Sequence, residues 1–107
     1  MTMRWMLAAL LLPGAAAGRP AQCHVELAGA PVIEGACDFE TIADDGSFQV
    51  KAPGGVPFVQ VLVTTPGEAD GYWSGPDPLS THAHDPLGRL ARDGGCWLNE
   101  QATVCAE

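Results

Sequence analysis

Four cysteines, Cys23, Cys37, Cys96 and Cys105, stand in a chain of 107 residues as two short-range pairs. They follow a segment with the marks of an export leader, and in an oxidising compartment four such thiols become two disulfides. Arg4 supplies the positive start of that leader. Trp5 to Leu12 form its apolar run, Pro13-Gly14 ends the run, and Ala15-Ala16-Ala17 offers the small residues that a signal peptidase reads. The run is far shorter than the ~20 residues needed to span a bilayer. Gln22 directly before Cys23, and Pro20 where an aliphatic residue is expected, speak against lipidation. The expected organisation is a signal peptide over 1–17 and a single β domain over 18–107, periplasmic or secreted.

Four cysteines allow three connectivities, and strand patterning chooses among them. A hairpin around Gly29-Ala30-Pro31 sets Leu27 opposite Ile33, Val25 opposite Gly35 and Cys23 opposite Cys37. A hairpin around Asn99 to Ala102 sets Leu98 opposite Thr103, Trp97 opposite Val104 and Cys96 opposite Cys105. Directly opposed residues have Cα atoms about 4.5–5.5 Å apart, which a disulfide bridges. The expected pairs are Cys23–Cys37 and Cys96–Cys105, each worth roughly 3 kcal/mol in the chain-entropy model. Zinc sites bring cysteines in close pairs such as C-x2-C, and redox enzymes carry C-x-x-C; neither spacing occurs here.

The rest of the domain reads as short strands between turn signals. Val32 to Ile42 follows the first strand, with Gly35 as the expected bulge. Asp45-Gly46 is a two-residue hairpin signal that sets Thr41 opposite Val50 and Ala43 opposite Phe48. One face then collects Cys23, Val25, Leu27, Ile33, Cys37, Phe39, Phe48 and Val50. The other carries Glu26, Glu34, Asp38, Glu40, Gln49 and Lys51, with His24 on the same polar side. That period-two division is a half-buried sheet. Phe58 to Thr64 is continuously apolar and is expected to be buried on both faces. Ala69 to Ser74 returns after Pro66-Gly67, and a long loop follows over Gly75 to Gly88. Arg89 to Ala91 and Cys96 to Leu98 form a hairpin through Asp93-Gly94-Gly95, and Thr103 to Ala106 closes the sheet. No segment after the leader keeps a helical period. The expected fold is all-β, a small disulfide-stapled antiparallel barrel or two-layer sandwich of about seven or eight short strands.

Charge narrows the range of partners. Cleavage after Ala17 removes Arg4, leaving four basic residues against thirteen acidic ones and a net charge of −9. Such a chain repels phosphate backbones and anionic lipid, which argues against nucleic-acid or membrane-surface binding. It leaves a cationic protein or a cell-envelope component as the expected partner.

One stretch, Tyr72 to Asp85, carries chemistry. Long loops on a rigid sheet are where function concentrates. His82 and His84 alternate, so in an extended segment both imidazoles project to one side. Asp77 or Asp85 adds a carboxylate, and the mixed nitrogen and oxygen set suits Cu(II), Zn(II) or Ni(II). The competing use of the two histidines is to cap turns or bond loop carbonyls. Tyr72, Trp73 and Asp77 form a second candidate, an aromatic platform for a sugar or peptide. Neighbouring residues on a strand point to opposite faces, however, so only one ring of the pair is free to serve it. Trp97, beside Cys96, is expected in the core. Ser74, Ser80 and Thr81 lie near histidines and aspartates in sequence, but no G-x-S-x-G, phosphate-binding glycine loop or H-E-x-x-H is present. No catalytic residue is assigned.

The segments Asp45-Gly46-Ser47-Phe48, Tyr72-Trp73-Ser74-Gly75, His82-Ala83-His84 with Pro86-Leu87-Gly88, and Gly95-Cys96-Trp97 with Val104-Cys105-Ala106 carry a resemblance. It is to uncharacterised small exported bacterial four-cysteine proteins. The resemblance covers nearly all of 18–107 and implies neither an activity nor site residues. In size, stapling and β content the chain is also similar, as a class, to periplasmic lysozyme inhibitors. The sequence therefore points to a soluble exported binding module, an inhibitor or envelope-partner protein, with divalent-metal binding through His82-Ala83-His84 as the alternative.

Overall fold

The computed structural model describes residues 18–107, and the expected leader over 1–17 lies outside them. Eight antiparallel strands follow in chain order: β1 (Arg19–Leu27), β2 (Ala30–Thr41), β3 (Phe48–Lys51), β4 (Phe58–Thr65), β5 (Glu68–Trp73), β6 (Asp85–Asp93), β7 (Cys96–Leu98) and β8 (Ala102–Ala106). Each pairs with its neighbour in sequence, and β8 returns to β1, so the sheet closes into an up-and-down barrel. Closure decides between barrel and sandwich, but the pairing is uneven: β3 covers only Asp38–Thr41 of β2, and β7 only Ala91–Asp93 of β6. An eight-stranded barrel has an interior just wide enough for side chains to fill. Here Val25, Val50, Val59, Val61, Leu90 and Val104 fill it and are fully buried.

The period-two pattern places the inner face as expected. Cys23, Val25, Ile33, Cys37, Phe48 and Val50 are buried, while Leu27 and Phe39 are half-buried and pack against the core. Both expected disulfides form. Cys96 and Cys105 are directly opposed with Cα atoms 4.2 Å apart, and Cys23 and Cys37 are bridged across 5.9 Å.

Two hairpin registers differ from expectation by two residues. In β1–β2 the turn is Ala28-Gly29, with φ of 53° and 81°, and Leu27 faces Ala30. Two positive φ values in a two-residue loop match the twist of the flanking strands. A bulge at Val32 follows, so Val25 meets Ile33 and Cys23 meets Gly35. The bulge is therefore at Val32, not Gly35, and Cys23 and Cys37 are diagonal rather than direct neighbours. In β2–β3 the Asp45-Gly46 pair sits inside a wider loop, 42–47, closed by Ile42 N–H donating to Ser47 O at 2.9 Å. Thr41 then faces Phe48, and Phe39 faces Val50. A slip of two keeps every side chain on its expected face, and only an odd slip would have inverted the sheet.

Two other expectations are corrected. β4 is not buried on both faces, because a barrel offers one interior. Val59 and Val61 point in, and Gln60 and Leu62 stay half-exposed. The long loop is shorter than Gly75 to Gly88, because β6 begins at Asp85. Tyr72 faces Pro86 and Gly71 faces Gly88, which leaves Leu87 as a bulged residue. Leu87 and Leu90 both turn inward although they are three apart, so β6 lacks the alternation by which a strand is recognised. Gly71 makes room for them, since a Cβ there would lie 2.7 Å from Leu90 Cδ1.

Candidate functional site

The barrel has two open ends, and loop 74–84 is the largest structure at the end shared with the β1–β2, β3–β4 and β7–β8 connections. Its start is fixed to the barrel by Ser74, which is buried at 6 % exposure. Phe58 N–H donates to Ser74 Oγ at 3.0 Å, and Ser74 N–H donates to Phe58 O at 2.9 Å. Together they extend the β4–β5 ladder one step past Trp73.

Beyond this clamp the loop is held by its own side chains. Asp77 Oδ1 accepts Leu79 N–H at 2.9 Å, and Asp77 O accepts Ser80 N–H at 3.1 Å. Such side-chain turns are the usual local role of aspartate. The Ser80 hydroxyl donates to His82 O at 2.9 Å, and Thr81 Oγ1 lies 3.0 Å from His82 Nδ1. Asp77 is thus a turn former, and its carboxylate is already engaged. The crest of the loop carries Leu79, 84 % exposed. Its signal in the sequence is that of a lone leucine among prolines, serines and aspartate, with no apolar neighbour to pack against.

The remaining candidates separate by face. Trp73 continues the inward series of β5, is half-buried and packs against the core. It also lines an apolar crevice of about 270 Å³ with Val32, Val56, Pro57, Pro76 and Pro78. Tyr72 points outward, at the end of a row in which Glu40, Gln49, Gln60 and Tyr72 are successive cross-strand partners. Gln60 Nε2 donates to Gln49 Oε1 at 2.8 Å and Gln49 Nε2 to Glu40 Oε1 at 3.3 Å, which fixes the amides. The two rings thus occupy opposite faces of β5.

His82 and His84 are both exposed, with rings stacked at a centroid separation of 5.0 Å. They border an open groove of about 770 Å³ between the loop and the outer wall of β3 and β4. Asp85 does not join them. Its carboxylate is turned to Gly75, where a Cβ would lie 3.0 Å from Oδ2. Among the described residues no group of three or more histidine, cysteine, aspartate or glutamate side chains is gathered to hold a metal ion. Among them, too, no helix is long and apolar enough to cross a membrane. Comparison with family models, with curated proteins and with solved structures finds no match.

Proposed function

We propose that the protein is a small exported binding module without a catalytic role, and that it engages its partner through loop 74–84. The observation that carries this reading is Leu79, exposed at the crest of a loop whose backbone is already tied down at Ser74, Asp77 and Ser80. An ordered loop loses little conformational entropy on binding, and an exposed leucine gains by burial in a partner's cleft. The net charge of −9 that remains once the leader and Arg4 are removed steers it toward a cationic protein of the cell envelope, in the manner of an inhibitor or envelope partner. The test is capture of basic proteins, a lysozyme among them, on immobilised protein and on a Leu79→Asp variant. The reading expects retention at low salt, release as screening shortens toward a Debye length of about 3 Å at 1 M, and loss on the variant. Equal capture by both proteins, salt-independent capture or no capture contradicts it.

A second reading is favoured by the stacked imidazoles. His82 and His84 lie close enough to offer two nitrogen ligands to Cu(II) or Zn(II), with water completing the shell. Metal binding to the folded state then raises Tm, and His82→Ala/His84→Ala abolishes the rise. An equal rise in that variant, or none in the parent, refutes it.

A further inference from the structure

The other end of the barrel, away from loop 74–84, holds a cavity of about 380 Å³. Its apolar floor is made by Phe39, Phe48 and Trp97, and the Phe39 and Phe48 rings stack at 5.1 Å. Arg19 and Arg92 stand above that floor. In strand alternation both belong to inward series, Arg19 two before Ala21 and four before Cys23, and Arg92 two after Leu90. Each is the cross-strand partner of the ring beneath it. Arg19 faces Phe39 with its guanidinium carbon 4.6 Å from the ring centroid, and Arg92 faces Trp97 at 5.9 Å. A guanidinium held over an aromatic face still has N–H groups to offer an anion.

Charge distribution supports this use. In an acidic chain, two of the few cations converge on one cavity. Among the described residues Arg89 pairs with Glu68 and Asp70, whereas neither Arg19 nor Arg92 lies within ion-pair distance of a carboxylate. Arg92 Nε donates to Gly94 O at 3.1 Å, and its terminal nitrogens lie beyond that bond. The rim also carries Asp45 and Glu107. Asp45 is held in its own loop by Ser47 N–H at 2.9 Å. These carboxylates disfavour a polyanion and leave a single negative charge as the better match.

We propose that this mouth binds a small organic monocarboxylate, its carboxylate on Arg19 and Arg92 and its flat apolar body on Phe39, Phe48 and Trp97. A cavity with an apolar floor and a few convergent polar groups is the usual form of a small-ligand site. The site is independent of loop 74–84 and stands or falls separately from it.

The experiment is an NMR titration of the purified, disulfide-bonded protein with 2-naphthoate, and with the neutral 2-naphthamide as control. The expected result is a set of shifts at the Trp97 indole N–H and at amides of 19–21, 45–48 and 92–97. Arg19→Gln and Arg92→Gln, both at exposed positions and so expected to keep the parent spectrum, each weaken naphthoate binding about tenfold while leaving naphthamide unchanged. Equal binding of the two probes overturns the proposal, as do variants that bind naphthoate as the parent does. Shifts confined to loop 74–84, or no shifts at millimolar probe, overturn it as well.

Discussion

The hydroxyl of Ser74 accepts the backbone amide of Phe58 at 3.0 Å, and Ser47 does the same for Val63 at 2.8 Å. Among the described residues these are the two buried polar side chains, and each satisfies an N–H near one end of β4. A buried amide left without a partner costs about 1–3 kcal/mol. Ser74→Ala is expected to lose that much in urea unfolding, and a loss under about 0.5 kcal/mol, the ordinary scatter of a surface change, contradicts the clamp.

Asn99 ties the β7–β8 connection to β6. Its Nδ2 donates to Leu87 O at 2.9 Å and to Arg89 O at 3.0 Å, and its Oδ1 accepts Gln101 N–H and Ala102 N–H at 2.8 Å each. All the bonding capacity of the amide is used. Asn99→Ala is expected to cost roughly 2–3 kcal/mol, since the bulged strand around Leu87 loses its side-chain partner. Asn99→Asp keeps the acceptors and sets a charge against two carbonyls, so it should rescue little. Full stability of either variant in thermal unfolding argues against this role.

Ala28 occupies φ 53°, a region that costs a β-carbon roughly 1–2 kcal/mol and that asparagine and glycine tolerate. Ala28→Asn is therefore expected to raise stability by about 0.5–1 kcal/mol in this Ala28-Gly29 turn. An unchanged or lowered denaturation midpoint contradicts the turn geometry.

His24 lies with Nδ1 2.9 Å from Glu34 Oε2 and Nε2 3.4 Å from Glu26 Oε2. The hydrogen bond and charge of Glu34, with a smaller contribution from Glu26, hold its pKa above the ordinary 6.5. A raised histidine pKa contributes stability that is fully present below the unfolded pKa and is lost as pH rises through the folded one. The pair should thus help most in mildly acidic solution. NMR titration of the His24 ring is expected to give a midpoint above 6.5, lowered by Glu34→Gln. A midpoint at or below that value refutes the pairing.

The inner face, both staples and the β6–β7 and β7–β8 hairpins were legible in the sequence, because period-two burial and turn residues are local signals. What hid from it were the places where one residue is inserted. Val32 and Leu87 are bulged, and a bulge leaves no mark in an alternating pattern except to end it. The β1–β2 register escapes the pattern for that reason, as does the first part of β6, Asp85 to Gly88. The loop between β5 and β6 is legible from its prolines, but the contacts within it are not. Asp85 belongs to a strand start opposite Trp73 and turns toward Gly75, a placement that its spacing from His82 and His84 does not show.

Binding through loop 74–84 requires that the loop be a built surface presenting Leu79 in one conformation. Backbone 15N order parameters over 76–84 test it most directly. The account predicts values near those of the strands, about 0.8 or higher, with a drop across the loop in Ser74→Ala. Values below about 0.6 at Leu79 and Ser80 in the parent protein would contradict it.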